Sequence, residues 1–193
     1  MAACVKGRSK LDFVMHRQDI LSKLRRYSFE GETDREARDR IAAFVKDRPD
    51  CFERSLAVGH ITGSAWIVNP GRTRFLLTFH KKLGLWLQLG GHADGESDIL
   101  QVALREAREE SGIEGIAPVS SEIFDVDIHR IPEYKGVAEH FHYDIRFQFE
   151  ADDGQPLTIS DESHDLAWLN VEEIKSRTQE ESILRMLSKT TRH

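Results

Sequence analysis

The stretch Gly90–Ile113, GGHADGESDILQVALREAREESGI, decides how this 193-residue chain is read. It opens on a glycine pair and an acidic loop, Asp94-Gly95-Glu96, then runs into a strongly charged helical segment from about Ser97 to Ser111. On that helix Glu106, Glu109 and Glu110 stand at i, i+3 and i+4, so their carboxylates project from one side. Like charges at that spacing cost an isolated helix roughly a few tenths of a kcal/mol per pair. The opposite face carries Ile99, Val102, Ala103 and Leu104 for packing. Three gathered acids are either a solvated face or a hard-cation site. Oxygen ligands suit Mg2+ or Mn2+, whereas a soft metal would want Cys or His. Gly112 follows as a left-handed C-cap, with Ile113 folding back onto the helix.

The periodicity on either side places this segment in a sheet. Upstream, Ile61–Val68 reads as a strand, Asn69-Pro70-Gly71 as a turn and Arg74–Phe79 as a second strand, together a hairpin. A polar loop, His80 to Gly84, and a short apolar stretch, Leu85–Leu89, lead into the glycine pair. Downstream, Glu122–Ile128, His140–Phe149 and Ala167–Leu169 read as strands, and Val171–Leu187 as one or two helices. Near the start, His16–Tyr27 spaces Ile20, Leu21, Leu24 and Tyr27 as a helical apolar stripe. Thr33-Asp34-Arg35-Glu36 has the form of a capping box for a second helix that Pro49 stops. This order predicts an α/β/α sandwich with a mixed sheet. Residues 1–55 are expected to form a helical N-terminal extension packed on a main domain of residues 56–193.

Together, Gly91, Arg105, Glu106, Glu109, Glu110, Gly112 and Ile113 follow the spacing GX5EX7REUXEEXGU, and the segment resembles the Nudix box. The likeness extends from His60 through Trp-Leu-Gln-Leu-Gly-Gly-His to the exit Ala167–Ile174, roughly residues 60 to 175. Ser97 stands where the first box glutamate is usual, with Glu96 one residue early, and Ala107 replaces a larger aliphatic. Ser97 is read as the helix N-cap, and Glu96 as able to reach Arg105 through a reshaped loop.

The resemblance to the Nudix (MutT-like) hydrolases implies a metal-dependent enzyme cleaving the pyrophosphate linkage of a nucleoside diphosphate linked to some moiety X. It implies Mg2+, with Mn2+ as a substitute, held by Glu106, Glu109, Glu110 and the Gly91 carbonyl. Arg105 would orient a glutamate by a charge-assisted hydrogen bond. Glu162, in the acidic loop before the late Trp168 strand, is the nominated general base, with Glu139 and His140 as competitors. The alternative is a non-catalytic Nudix-fold module that binds or senses nucleotides. An isomerase of prenyl diphosphates on the same fold would need a pocket cysteine, and neither Cys4 nor Cys51 falls in the matching region.

Composition narrows the remaining classes. With 27 basic against 33 acidic residues, net −6, the chain gains little from phosphate backbones, so non-specific nucleic-acid binding is not expected. No apolar run approaches the roughly 18 residues of a membrane span. The opening MAACVKGRSKLDF lacks a secretory core, and the two cysteines show no CxxC spacing, so a cytoplasmic setting is expected. The N-terminal helices suggest a lid or a homodimer surface as alternatives to plain packing. Nine histidines invite a zinc reading, but His60, His80, His92, His140 and His142 show no HExxH-type spacing, so structural or surface roles are expected. His140 and His142 would share one strand face. His80, Lys81 and Lys82 suit either phosphate contact or a solvated loop, and Trp86 and Phe141 suit the core.

Overall fold

The computed structural model describes residues 16–133 and 136–192. Cys4 and the whole opening stretch MAACVKGRSKLDF lie outside the described residues.

Among the described residues two helices come first, α1 (Gln18–Arg26) and α2 (Glu32–Asp47). The apolar stripe of α1 buries Ile20, Leu21 and Leu24, and α2 buries Ile41, Phe44 and Val45, all within one core with the sheet. The expected capping box at the start of α2 does not form. The helix begins at Glu32, two residues earlier, with Gly31 at the N-cap and no side-chain cap. The Asp34 carboxylate instead turns inward, accepting from Tyr27 Oη at 2.8 Å and from the Glu30 backbone N–H at 2.9 Å.

The sheet comprises β1 (Gly59–Val68), β2 (Phe75–His80), β3 (Leu85–Leu87), β4 (Leu89–His92), β5 (Ala117–Pro118), β6 (Asp125–Ile131), β7 (His140–Glu150) and β8 (Ser163–Leu169). β1 is its spine. One edge of β1 runs parallel to β7 over its whole length, from Gly59 beside Phe141 to Val68 beside Glu150. Its other edge is shared antiparallel by β4 at Thr62–Ala65 and β2 at Ile67–Val68. β6 and β5 pair with β7, and β3 and β8 with β2. The sheet is therefore mixed, as expected.

Three helices complete the layers: α3 (Ile99–Ser111) between β4 and β5, then α4 (Val171–Arg177) and α5 (Glu181–Thr191) after β8. On one face Ile61, Ala65 and Ile67 of β1 join α1, α2 and α3 in a single core. Trp66 and Val68 belong to a second cluster with Ile174 of α4 and Ile183, Met186 and Leu187 of α5. α4 starts on a full capping box between Asn170 and Glu173.

Beside the second cluster the sheet carries charge rather than oil. Arg146 is fully buried and donates to Asp144 at 2.7 Å, Asp125 at 3.0 Å and Asp127 at 3.3 Å. Arg185 and Lys189 of α5 also reach Asp125, and Lys189 continues to Asp34 and the Tyr27 hydroxyl. Burial alone would push Asp125 up, yet Arg185, Arg146 and Lys189 hold it below the usual carboxylate range.

Candidate active site

A close helix–strand contact builds the site. A Cβ on Gly63 of β1 would lie 3.0 Å from Ile99 and 3.1 Å from Val102, so glycine lets α3 settle onto the strand. Gly63 pairs with Gly91, and Ser64 with Gly90, which carries the glycine pair against the acidic side of α3. At the far end Gly112 adopts the left-handed conformation, φ 71°, and closes the helix as its sequence predicts. The N-cap is Asp98 rather than Ser97, its carboxylate accepting from the Gln101 N–H at 3.3 Å.

Two of the three box glutamates converge on the glycines. The Gly90 N–H donates to Glu110 Oε2 at 3.0 Å. A Cβ on Gly91 would fall 2.3 Å from Glu106 Oε2, so a bare glycine is what leaves room for that carboxylate. Arg105 donates to Glu106 Oε1 at 2.6 Å and to the His92 carbonyl at 3.1 Å. Glu109 stands further out, mostly exposed, 4.0 Å from Arg105. Burial pushes the Glu110 carboxyl up to about 7; the Gly90 N–H opposes this, while Glu106, Glu162 and Glu109 add to it. A half-buried carboxylate crowded by three others is a poor anion and a good cation ligand.

Glu162, in the turn before β8, is close enough to Glu110, His92 and Arg54 to bias their ionisation. Glu139 sits elsewhere, paired with Arg130. Glu96 does not reach Arg105: its carboxylate accepts the N–H groups of Ser97 and Asp98, closing its own loop. The basic triplet is used locally too. Lys81 donates to the Asp161 carbonyl at 2.8 Å, and His80 Nδ1 accepts the N–H groups of Lys82 and Leu83. Trp86 is buried against Phe79 with the Arg177 guanidinium over its ring, and Cys51 is a buried thiol pushed up to about 12 by burial.

Two features escape the sequence reading. Arg54, from the segment ahead of β1, forms a two-pronged pair with Asp94, and the Gly95 N–H donates to the Phe52 carbonyl at 3.0 Å. Glu106 and Glu162 also bear on Arg54. The second is a cluster of histidines. Spacing argues against a histidine metal site, yet ligand atoms of His60, His140 and His142 lie within 4.8 Å of one another, with the His92 ring beside them. Burial, reinforced by the neighbouring rings, lowers His60 to about 4 and His142 to about 2.

Comparison of the sequence with curated proteins yields no match. Among solved structures, an Ap4A hydrolase from C. elegans superposes with a TM-score of 0.55 at 19% identity, covering 68% of this chain and 95% of that one. A MutT protein from Methanosarcina mazei Go1 gives 0.56 at 19% identity, covering 71% and 96%. The dihydroneopterin triphosphate pyrophosphohydrolase of E. coli gives 0.52 at 15% identity, covering 67% and 92%. These likenesses establish a shared fold. The family description that matches the sequence is the NUDIX domain, over residues 60–189, about two thirds of the chain. With the box, the glycine pair and the sheet in agreement, the chain belongs to the Nudix (MutT-like) hydrolase superfamily.

Proposed function

We propose that this Nudix hydrolase cleaves the pyrophosphate linkage of a nucleoside diphosphate linked to X and that it depends on a divalent metal. The observation that carries this is Glu110: half-buried, tied to the Gly90 N–H, and crowded by Glu106, Glu162 and Glu109. Those residues fit a hard dication, because an all-oxygen set with a raised carboxyl and a glycine cradle has few other sources of relief. Glu106, Glu109, Glu110 and the Gly91 carbonyl would hold Mg2+ or Mn2+. Bound there, the ion would offset phosphate charge and acidify the attacking water.

The protein residues supply the rest. Arg105 fixes Glu106 through a charge-assisted bond and ties it to the His92 carbonyl, so the carboxylate is oriented before substrate arrives. Glu162 is exposed in the turn before β8 and would accept the proton of the attacking water as the phosphoanhydride P–O bond breaks. Arg54, held over the acidic loop by Asp94, supplies positive charge at the rim. A small nucleotide-type substrate suits this arrangement of charge.

One observation favours a second reading, a non-catalytic nucleotide-binding module: Glu96 is spent on its own loop and leaves Arg105 without the first box glutamate. The deciding experiment is phosphate release from nucleoside triphosphates, nucleotide sugars and dinucleoside polyphosphates with Mg2+ and Mn2+. Native protein should turn over at least one class, with Glu109→Gln slower by about a hundredfold or more. Tight nucleotide binding with no release under either metal would install the second reading instead.

A further inference from the structure

The four histidines gathered at one end of the sheet are left without a task by the hydrolytic reading. His60 lies directly beside His142 in the parallel ladder, and Thr62, two residues along the same face, lies opposite His92. His140 precedes His142 by two residues and shares its face. The ring centroids of His60 are 4.8 Å from His142, 5.0 Å from His92 and 5.2 Å from His140. His60 is 97% buried, since only 3% of its surface is exposed, and neither ring nitrogen has a hydrogen-bond partner among the described residues. The Leu56 carbonyl acts on His60 only weakly, at a geometry short of a formed bond. Nε2 of His142 is likewise buried and unpartnered. His140 differs: its Nδ1 faces the Ala138 carbonyl at 2.9 Å. A carbonyl can only accept, so in the neutral ring the lone pair of His140 is on Nε2.

Packing alone accounts poorly for this. An orphaned buried polar atom costs about 1–3 kcal/mol, and here three are placed side by side where apolar side chains would cost nothing. Protonation gives no relief, because each added charge would face neighbouring rings in a dry site. What the cluster does present is neutral imidazole lone pairs, one of them already oriented through its second nitrogen in the manner of metal-bound histidines.

We propose that His60, His140 and His142 form a binding site for a transition-metal dication of the Zn2+ class, separate from the carboxylate centre, with the His92 ring adjoining it. Imidazole sets select Zn2+, Co2+ or Ni2+ over Mg2+. The ligand atoms, now within 4.8 Å, would close to roughly 3.3 Å for a tetrahedral ion with Zn–N bonds of about 2.0–2.1 Å. Such an ion would cross-link β1 to β7, with His92, the residue after Gly91 on β4, beside it.

The test counts metal and makes no use of activity. Full-length protein is stripped with chelator, dialysed against Zn2+ in excess Mg2+, and its metal content measured by mass spectrometry. Co2+ loading is followed in parallel through its visible absorption. Native protein and the Glu106→Gln/Glu109→Gln variant are both expected to retain one Zn2+ per chain and to show intense tetrahedral-type Co2+ bands. His140→Ala, at the part-exposed end, should weaken Zn2+ binding by about tenfold to a hundredfold. Failure of native protein to bind Zn2+ overturns the proposal, as does loss of Zn2+ with the carboxylates or unchanged affinity in His140→Ala. Imidazole nitrogen resonances of the unmutated protein guard against a misfolded variant: Zn2+ must shift those of His60 and His142. Absence of hydrolysis would count against the reading in the previous subsection and leave this result untouched.

Discussion

The backbone N–H of Gly90 donates to Glu110 Oε2 across 3.0 Å, joining the strand that carries the glycine pair to the last turn of the box helix. That bond keeps a carboxyl in place that burial and three acidic neighbours disfavour as an anion, with a value near 7 against an ordinary 4.5. Below pH 4.5 the group is protonated folded or unfolded, so it costs nothing. As pH rises from there to 7 the unfolded chain releases its proton first, stability falls, and above 7 the full penalty stands. In the absence of metal, Glu110→Gln should therefore be more stable than native protein at pH 8, by about 2 kcal/mol, with little difference at pH 5. Urea melts in chelator at the two pH values measure this. Equal destabilisation at both would mean that the carboxyl is not strained.

The close approach of Gly91 to Glu106 makes a second substitution informative. Gly91→Ala introduces no backbone strain, and the clashing atom is the end of a flexible side chain, so the fold should tolerate it with a loss of under about 1 kcal/mol. Glu106 must move, however, and with it the bond from Arg105. Turnover should fall by about a hundredfold, and Mg2+ should be needed at higher concentration for half-maximal rate. A variant as active as native protein would remove Glu106 from the centre.

Arg146 offers the opposite case, a stability effect away from the chemistry. It is completely buried between Asp125, Asp144 and Asp127, and Asp144 in turn accepts the hydroxyls of Thr62 and Ser64 and the amide of Gln88. Arg146→Ala leaves the buried Asp144 without its guanidinium, while Asp125 keeps Arg185 and Lys189, so about 3–5 kcal/mol of stability should be lost, read from chemical denaturation. Arg146→Lys should recover little, since one ammonium cannot span three carboxylates as a planar fork does.

The sequence made the main architecture legible because periodicity and punctuation agree there. Gly112 ends α3 as a glycine at that spacing should, and Ile99, Val102, Ala103 and Leu104 are the buried face. Local signals failed where a distant group competes. The motif at Thr33–Glu36 looks like a cap, but Asp34 is taken up by Tyr27 and by Lys189, 155 residues along the chain. Arg54 was invisible as a rim residue because its partner, Asp94, is 40 positions away. The histidine cluster was missed for the same reason. No local spacing encodes it, since the parallel pairing of β1 with β7 is what sets His60 beside His142.

Lys189 connects the two ends of the chain, and its contacts bear on whether the N-terminal helices are dispensable. Its ammonium donates to Tyr27 Oη at 2.7 Å, Asp34 Oδ2 at 3.1 Å and Asp125 Oδ1 at 2.7 Å, all buried. The family match begins only at residue 60, which would suggest that the rest can be removed. The packing argues otherwise. Phe44 of α2 stacks on Tyr143 of β7 with ring centroids 3.9 Å apart, and Ile20, Leu24, Ile41 and Val45 are buried in the same core as Ile61 and Val126. A chain starting at residue 56 would expose that core face and leave Lys189 short of two partners. We expect it to bind a hydrophobic dye and to lack a cooperative melt, and Asp34→Ala in the full chain to lose about 2–4 kcal/mol. A sharp, native-like transition from the 56–193 fragment would show that the sheet and its three later helices suffice by themselves.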